Sequence, residues 1–179
     1  MIFHRQLVPI LGPLLLVACS QGPVSDGSTP PREIVEEILR EAGFRQVLFL
    51  DRTITIPSRD SDALLTAPWA DSAARSHVES ALADMRTRSQ QHWLLEDSVI
   101  RQLGARSVSR SPGSASFKGP EGPTLLSLSA VGFSADSTVA AVYWQYHCGG
   151  RCGGATVSLF TRSRGAAWRP WRSQVMWMS

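Results

Sequence analysis

Strand follows strand near the C-terminal end of this 179-residue chain with almost no room between them, and that crowding limits the folds open to it. Residues 126–133 (LSLSAVGF) alternate apolar with small polar side chains, and residues 134–137 (SADS) supply a turn. Residues 138–147 (TVAAVYWQYH) are β-branched and aromatic, the composition of a half-buried pleated surface. The segment CGGRCGG then reverses the chain, its glycines permitting positive φ where other residues would be strained. Residues 155–161 (ATVSLFT) return, a turn at 162–165 follows, and residues 168–177 make a last strand. Sequential strands on such short links pair antiparallel, because a parallel neighbour needs a crossover of about a dozen residues or more.

The first half reads differently. Thr29 suits a helix N-cap, Pro30 a first turn, and Ile34, Val35, Ile38, Leu39 and Ala42 recur at helical spacing before Gly43 ends the run. Arg32, Glu36, Glu37 and Arg40 cover the opposite face as solvated charge. Residues 44–56 (FRQVLFLDRTITI) read as one long strand or two short ones ending at Pro57, with 58–62 (SRDSD) as a loop. Residues 72–91 form a second helix behind Asp71, with Val78, Ala81, Leu82 and Met85 as its apolar stripe and His77 at the stripe's boundary. Residues 93–103 suggest a short helix or turn, and 104–123 a Gly/Pro/Ser-rich loop anchored by Phe117. The expected fold class is α+β, with N-terminal helices packed on one face of a C-terminal antiparallel β-meander.

Composition sets the outer bounds. Hydrophobic residues at 43 % and charged residues at 18 % lie outside the disordered and collagen-like ranges. The net charge is +3, and of the 18 basic residues only Lys118 is a lysine, an excess too small to argue for nucleic acid. The N-terminal residues argue for an address. A short basic start (His4, Arg5) precedes an apolar run over 7–18, shorter than the roughly 20 residues a membrane-spanning helix needs, which is the layout of a secretory signal peptide. Leu16, Val17, Ala18 and Cys19 resemble the lipobox of bacterial lipoproteins, which implies cleavage after Ala18 and lipidation at Cys19. One acyl chain anchors only marginally and the two or three of such lipoproteins hold firmly. Ser20 after the cysteine resembles the outer-membrane sorting choice of enteric bacteria. The expected organisation is a lipoprotein signal peptide over 1–18, a lipid anchor and tether over 19–30, and one globular domain over 31–179.

Of three cysteines, subtracting a lipidated Cys19 leaves Cys148 and Cys152, four positions apart, and an exported compartment oxidises such a pair. A structural disulfide is the expectation. A redox-exchange pair is the sharper reading, but such proteins place two residues between their cysteines and three stand here. His147, Cys148 and Cys152 are ligand types that suit zinc, yet a closed site needs a fourth ligand and His77 and His92 are distant.

Other chemistry is thin. Neither a G-x-S-x-G elbow, a phosphate-binding G-x-x-x-x-G-K-[ST] nor an H-E-x-x-H helix occurs. Asp60 and Asp62 are the nearest thing to a metal pair and read better as solvated loop acids, while Glu96 and Asp97 are adjacent and point apart. Trp168, Arg169, Pro170, Trp171 and Arg172 interleave rings with guanidinium groups. Trp168, Arg169 and Arg172 are therefore candidate ligand contacts, as is Arg151 at the tip of its glycine-rich turn. As a regular strand this segment puts Trp171, Ser173, Val175 and Trp177 on one face, so the tryptophans read as packing on the early helices. No catalytic residue, metal or cofactor is expected. The partners expected are a membrane, through the N-terminal lipid, and an envelope protein or small ligand.

Residues 126–160, the following turn with its tryptophan, and the ending VMWMS together resemble an uncharacterised group of bacterial envelope lipoproteins. In that group a VGF strand precedes a CGGxCG turn in the C-terminal half. The resemblance covers the C-terminal strands, with a weaker echo in VLFLDRTITI, and implies their pairing and the bridged turn. It implies no substrate. The group's last hairpin is rich in lysine, whereas RSRGAAWRPW stands here. Two functions remain open: a non-catalytic binding or accessory lipoprotein of the envelope, or an envelope hydrolase whose residues are drawn from distant positions.

Overall fold

A computed structural model describes residues 30–43, 46–66, 74–109, 123–149 and 152–179, with only the backbone at 61, 62, 65 and 66. Helix α1 is Arg32–Ala42, with Ile34, Val35 and Ile38 buried as its spacing predicts. Pro31 rather than Thr29 occupies its N-cap, and Gly43 closes it at φ 65°, where its N–H donates to the Leu39 carbonyl (3.1 Å). After strand β1 (Val47–Leu50), the run read as a loop folds into helix α2 (Ser58–Thr66). Its polar residues carry no periodic signal; Asp60 and Leu64, four positions apart and both buried, fasten it to the sheet. Helix α3 (Arg75–Arg88) buries Val78, Ala81, Leu82 and Met85 as expected, and α4 is Asp97–Gln102. The expected cap Asp71 and the anchor Phe117 lie outside the described residues.

The remaining strands are β2 (Arg106–Val108), β3 (Thr124–Leu128), β4 (Gly132–Phe133), β5 (Val139–His147), β6 (Gly153–Thr161) and β7 (Arg169–Met178). They form one seven-stranded sheet in the order β2-β1-β3-β5-β6-β7, with β4 paired to β5. Pairs β3/β5, β5/β6 and β6/β7 are antiparallel, as the short links require. The sheet as a whole is mixed, however, because β1 lies parallel to both β2 and β3. The helices between β1 and β2 supply the crossover that parallel pairing needs, and β2 is a three-residue strand inside what reads as loop. The expected strand over 126–133 is interrupted at Ser129, whose N–H donates to the Tyr143 carbonyl (2.8 Å) while its Oγ accepts the Tyr143 N–H (3.0 Å).

Helices cover both faces of the sheet, not one. Alternate residues of β5 divide accordingly. Ala140, Val142 and Trp144 join Ile34 and Ile38 of α1 and Ile100 of α4 in one core. Val139, Ala141 and Tyr143 join Leu64 of α2 and Val78, Leu82 and Met85 of α3 in the other. Helix α3 approaches β4 so closely that a Cβ on Gly132 would collide with Met85 N and Ala81 O and lie 2.5 Å from Met85 Cα. Only glycine fits there, and Asp84 Oδ2 accepts the neighbouring Phe133 N–H at 2.8 Å.

Candidate functional site

An open cleft of about 250 Å³ lies where the end of α1 meets β5, β6 and β7. Glu41, Trp144, Tyr146, Val175 and Trp177 line it, together with Ala42, Thr156 and Met178. Two irregularities in the β6/β7 ladder produce this lining. Register shifts fall between Ala155 and Thr156 and between Leu159 and Phe160, so each inserts an extra β7 residue. In consequence Trp171 and Trp177 pack against the α2/α3 core, while Ser173, paired with Ser158, reaches the α1 side. A regular strand keeps Trp171, Ser173, Val175 and Trp177 on one face; the bulges divide them.

A carboxylate of the lining organises the polar groups next to the cleft. Glu41 Oε2 accepts the hydroxyl of Ser158 (3.2 Å) and that of Ser173 (3.0 Å), and the two hydroxyl oxygens lie 2.9 Å apart. Trp144 Nε1 donates to Ser158 Oγ at 3.0 Å, which fixes the indole. Among the described residues no cationic side chain pairs with Glu41. Its neighbour Arg40 is drawn back along the helix to Glu37, to which its Nε donates at 2.9 Å. Glu41 also sits in the last turn of α1, where the helix dipole disfavours an anion.

The rings are held from the neighbouring strand. A Cβ on Gly154 would lie 2.7–2.9 Å from the ring and hydroxyl of Tyr146, so the absence of a side chain there makes room for the tyrosine. Trp144 and Tyr146 stand 6.2 Å apart between centroids on the α1 side, and Trp177, packed on the α2/α3 core, stands 6.2 Å from His147. Burial pushes the His147 imidazole below its usual range. Just beyond it Cys148 and Cys152 form a disulfide-distance pair with Cα atoms 5.1 Å apart, and the Cys148 N–H donates to the Cys152 carbonyl (3.0 Å).

On the opposite face Asp60 is a buried helix residue, 3 % exposed, rather than a solvated loop acid. Its Oδ2 accepts the Tyr143 hydroxyl at 2.6 Å, and its Oδ1 lies 3.3 Å from Arg59 Nε. Burial, then the bond to Asp60, pushes the Tyr143 phenol well above the usual tyrosine range, so it stays protonated and donating. The side chain of Asp62 lies outside the described part of the chain. His77 is the boundary residue its spacing suggests, with Nδ1 3.3 Å from Asp136 Oδ2. Hydrogen bonds from Ser134 and Thr138 hold the Asp136 carboxyl far below the usual carboxylate range.

The residues singled out by sequence do not gather at the cleft. Trp168 is 7 % exposed within the α1-side core, its ring covered by the Arg162 guanidinium at 4.2 Å and next to Phe133 at 5.6 Å. Arg169 and Arg172 are exposed on β7, with the Arg172 guanidinium 5.7 Å from the Trp171 ring. Arg169 begins the strand that Met178 ends, roughly 30 Å away along an extended chain. Arg151 and Cys19 lie outside the described residues. Glu41 is the cleft residue that sequence reading passed over; an acid next to a helix-ending glycine was the available signal.

Among the described residues no three His, Cys, Asp or Glu side chains group to hold a metal, and no helix is long and apolar enough to cross a membrane. No family model, curated protein or solved structure matches the chain.

Proposed function

We propose that the chain is a lipid-anchored lipoprotein of the bacterial cell envelope, tethered through Cys19, and that its globular part serves as a non-catalytic binding or accessory protein facing the periplasm. The observation that carries the binding role is the cleft at the end of α1: the Trp144 and Tyr146 rings beside the Glu41 carboxylate, with which no cationic side chain among the described residues forms an ion pair. An open concave site with an apolar lining and a few oriented polar groups is the usual form of a ligand site. The Cys148–Cys152 pair supports export, since such bridges persist in oxidising compartments.

The hydrolase alternative has one observation in its favour, the exposed Ser173 hydroxyl donating to Glu41 at 3.0 Å. That carboxylate is shared with Ser158, and a serine nucleophile also needs donors placed for an oxyanion. Binding is the better account of a carboxylate among rings. Its test is a photo-crosslinking side chain placed at Val175 in intact envelopes, with the same probe at exposed Glu79 on α3 as control. A discrete adduct from position 175 that is absent from position 79 and lost on Glu41→Gln supports the binding role. Equal labelling from both positions, or none, contradicts it.

A further inference from the structure

We infer that the cleft at the end of α1 takes a small organic cation, an ammonium group bearing apolar substituents. The inference rests on the binding-protein reading and adds the chemistry of what is bound.

Four features of the cleft converge on that class. The Trp144 and Tyr146 rings line it on the α1 side, and the electron-rich faces of such rings attract a cation while packing against its apolar substituents; the Trp177 ring is turned to the α2/α3 core. Glu41 supplies a full negative charge: both serine hydroxyls fall on Oε2, which leaves Oε1 to meet a ligand, and Arg40, the adjacent cation, is bound to Glu37. The polar groups next to the cleft are already engaged with one another, Trp144 Nε1 with Ser158 and both serines with Glu41. The lining side chains that carry oxygen are Glu41, Thr156 and Tyr146, set among the apolar Ala42, Val175 and Met178, so a hydroxyl-rich ligand such as a sugar would meet few polar partners there. The volume of about 250 Å³ is below the roughly 300–1,000 Å³ of drug-sized sites and suits a small cationic group.

The placement of the carboxylate argues for a role outside folding. The last turn of a helix favours cations, and α1 follows that rule at Arg40 and breaks it at Glu41. Departures from a stabilising rule collect at functional positions. A bound cation beside Glu41 restores the sign the helix terminus prefers.

The test uses the full chain in a non-ionic detergent, with choline as the cation and 3,3-dimethylbutan-1-ol as its neutral isostere, read by the indole N–H resonances of the six tryptophans. Choline is expected to move the Trp144 signal, and the isostere to need at least about tenfold higher concentration for the same shift. Glu41→Gln, which keeps an oxygen to accept from the serines, should weaken choline binding at least about tenfold and leave the isostere unchanged. Val175→Lys, at a site 53 % exposed and so tolerant of a charge, should do the same by placing a fixed ammonium at the cleft. Equal response to choline and isostere overturns the cation inference while leaving the binding role standing. Choline binding that survives both substitutions, or no indole shift with either probe, also overturns it. Failure of the binding role shows separately, as loss of the distinction between crosslinks from positions 175 and 79.

Discussion

Replacing Gly132 by alanine asks whether the approach of α3 to the sheet is as close as the structure has it. The added methyl carbon would meet backbone atoms, Met85 N and Ala81 O, with Met85 Cα at 2.5 Å, against ordinary contact near 3.4–4 Å. No rotamer relieves a clash with backbone, so α3 must move about an ångström off the sheet. Its buried residues Val78, Ala81, Leu82 and Met85 move with it, and overpacking of this kind costs about 1–3 kcal/mol or more. The same movement strains the hydrogen bond from Phe133 N–H to Asp84 (2.8 Å), and such bonds to a charged group contribute about 1.5–3 kcal/mol. Together they put the loss near 4 kcal/mol, or a fall in Tm of roughly 8–16 °C for a domain of this size. Urea unfolding followed by tryptophan fluorescence, with thermal melts by circular dichroism, measures both quantities. Gly165→Ala is the control: its φ is 77° with nothing within 4 Å, so only the left-handed backbone cost of about 1–2 kcal/mol applies. A Gly132→Ala loss no larger than that of the control refutes the close approach.

Three further perturbations address other parts of the molecule. Tyr143→Phe strands the buried Asp60 carboxylate without its 2.6 Å donor and should cost about 2–4 kcal/mol by urea unfolding, whereas a loss under about 0.5 kcal/mol contradicts the buried bond. In alkaline titration of the native protein Tyr143 should ionise well above the ordinary tyrosine range; since its folded pKa is raised, the stability it contributes is present below about pH 10 and lost above it. Burial depresses the folded pKa of His147, so its contribution is present above about pH 6.5 and lost as pH falls. His147→Gln should therefore flatten stability between pH 7.5 and 5.5, and an unchanged pH slope counts against it. Finally, maleimide should label neither Cys148 nor Cys152 in native protein before reduction, and Cys148→Ser with Cys152→Ser should cost only about 2 kcal/mol because the closed loop is so short. Ready labelling of both thiols refutes the bridge.

How far the sequence could be read depended on whether a local pattern or a distant partner decided each element. The stripe Ile34, Val35, Ile38 and the hairpin of β5 and β6 were legible because period and turn chemistry act within a dozen residues. Helix α2 was not, since SRDSD has no apolar period and is fixed by Asp60 reaching Tyr143 on the face of the sheet it covers. The parallel edge escaped for a related reason: β2 is too short to announce itself and gains its place from Leu48, Phe49 and Leu50 beside it. The tryptophans of β7 pack on the core as their apolar character implies, yet the two bulges that separate them from Ser173 and Val175 leave no mark in the alternation. The cleft is assembled from α1, β5, β6 and β7, and no window of sequence contains more than a few of its residues. Glu41 was legible only as a broken rule at the end of a helix.

The most direct test of the proposed role is the mass of the mature N-terminus. Intact-protein mass spectrometry of the purified membrane form should show a chain beginning at Cys19 and carrying acyl chains, and Cys19→Ser should abolish that mass and move the protein out of the detergent phase. An unmodified chain beginning elsewhere, or a Cys19→Ser protein that partitions as the wild type does, contradicts the lipid anchor and the envelope function built on it.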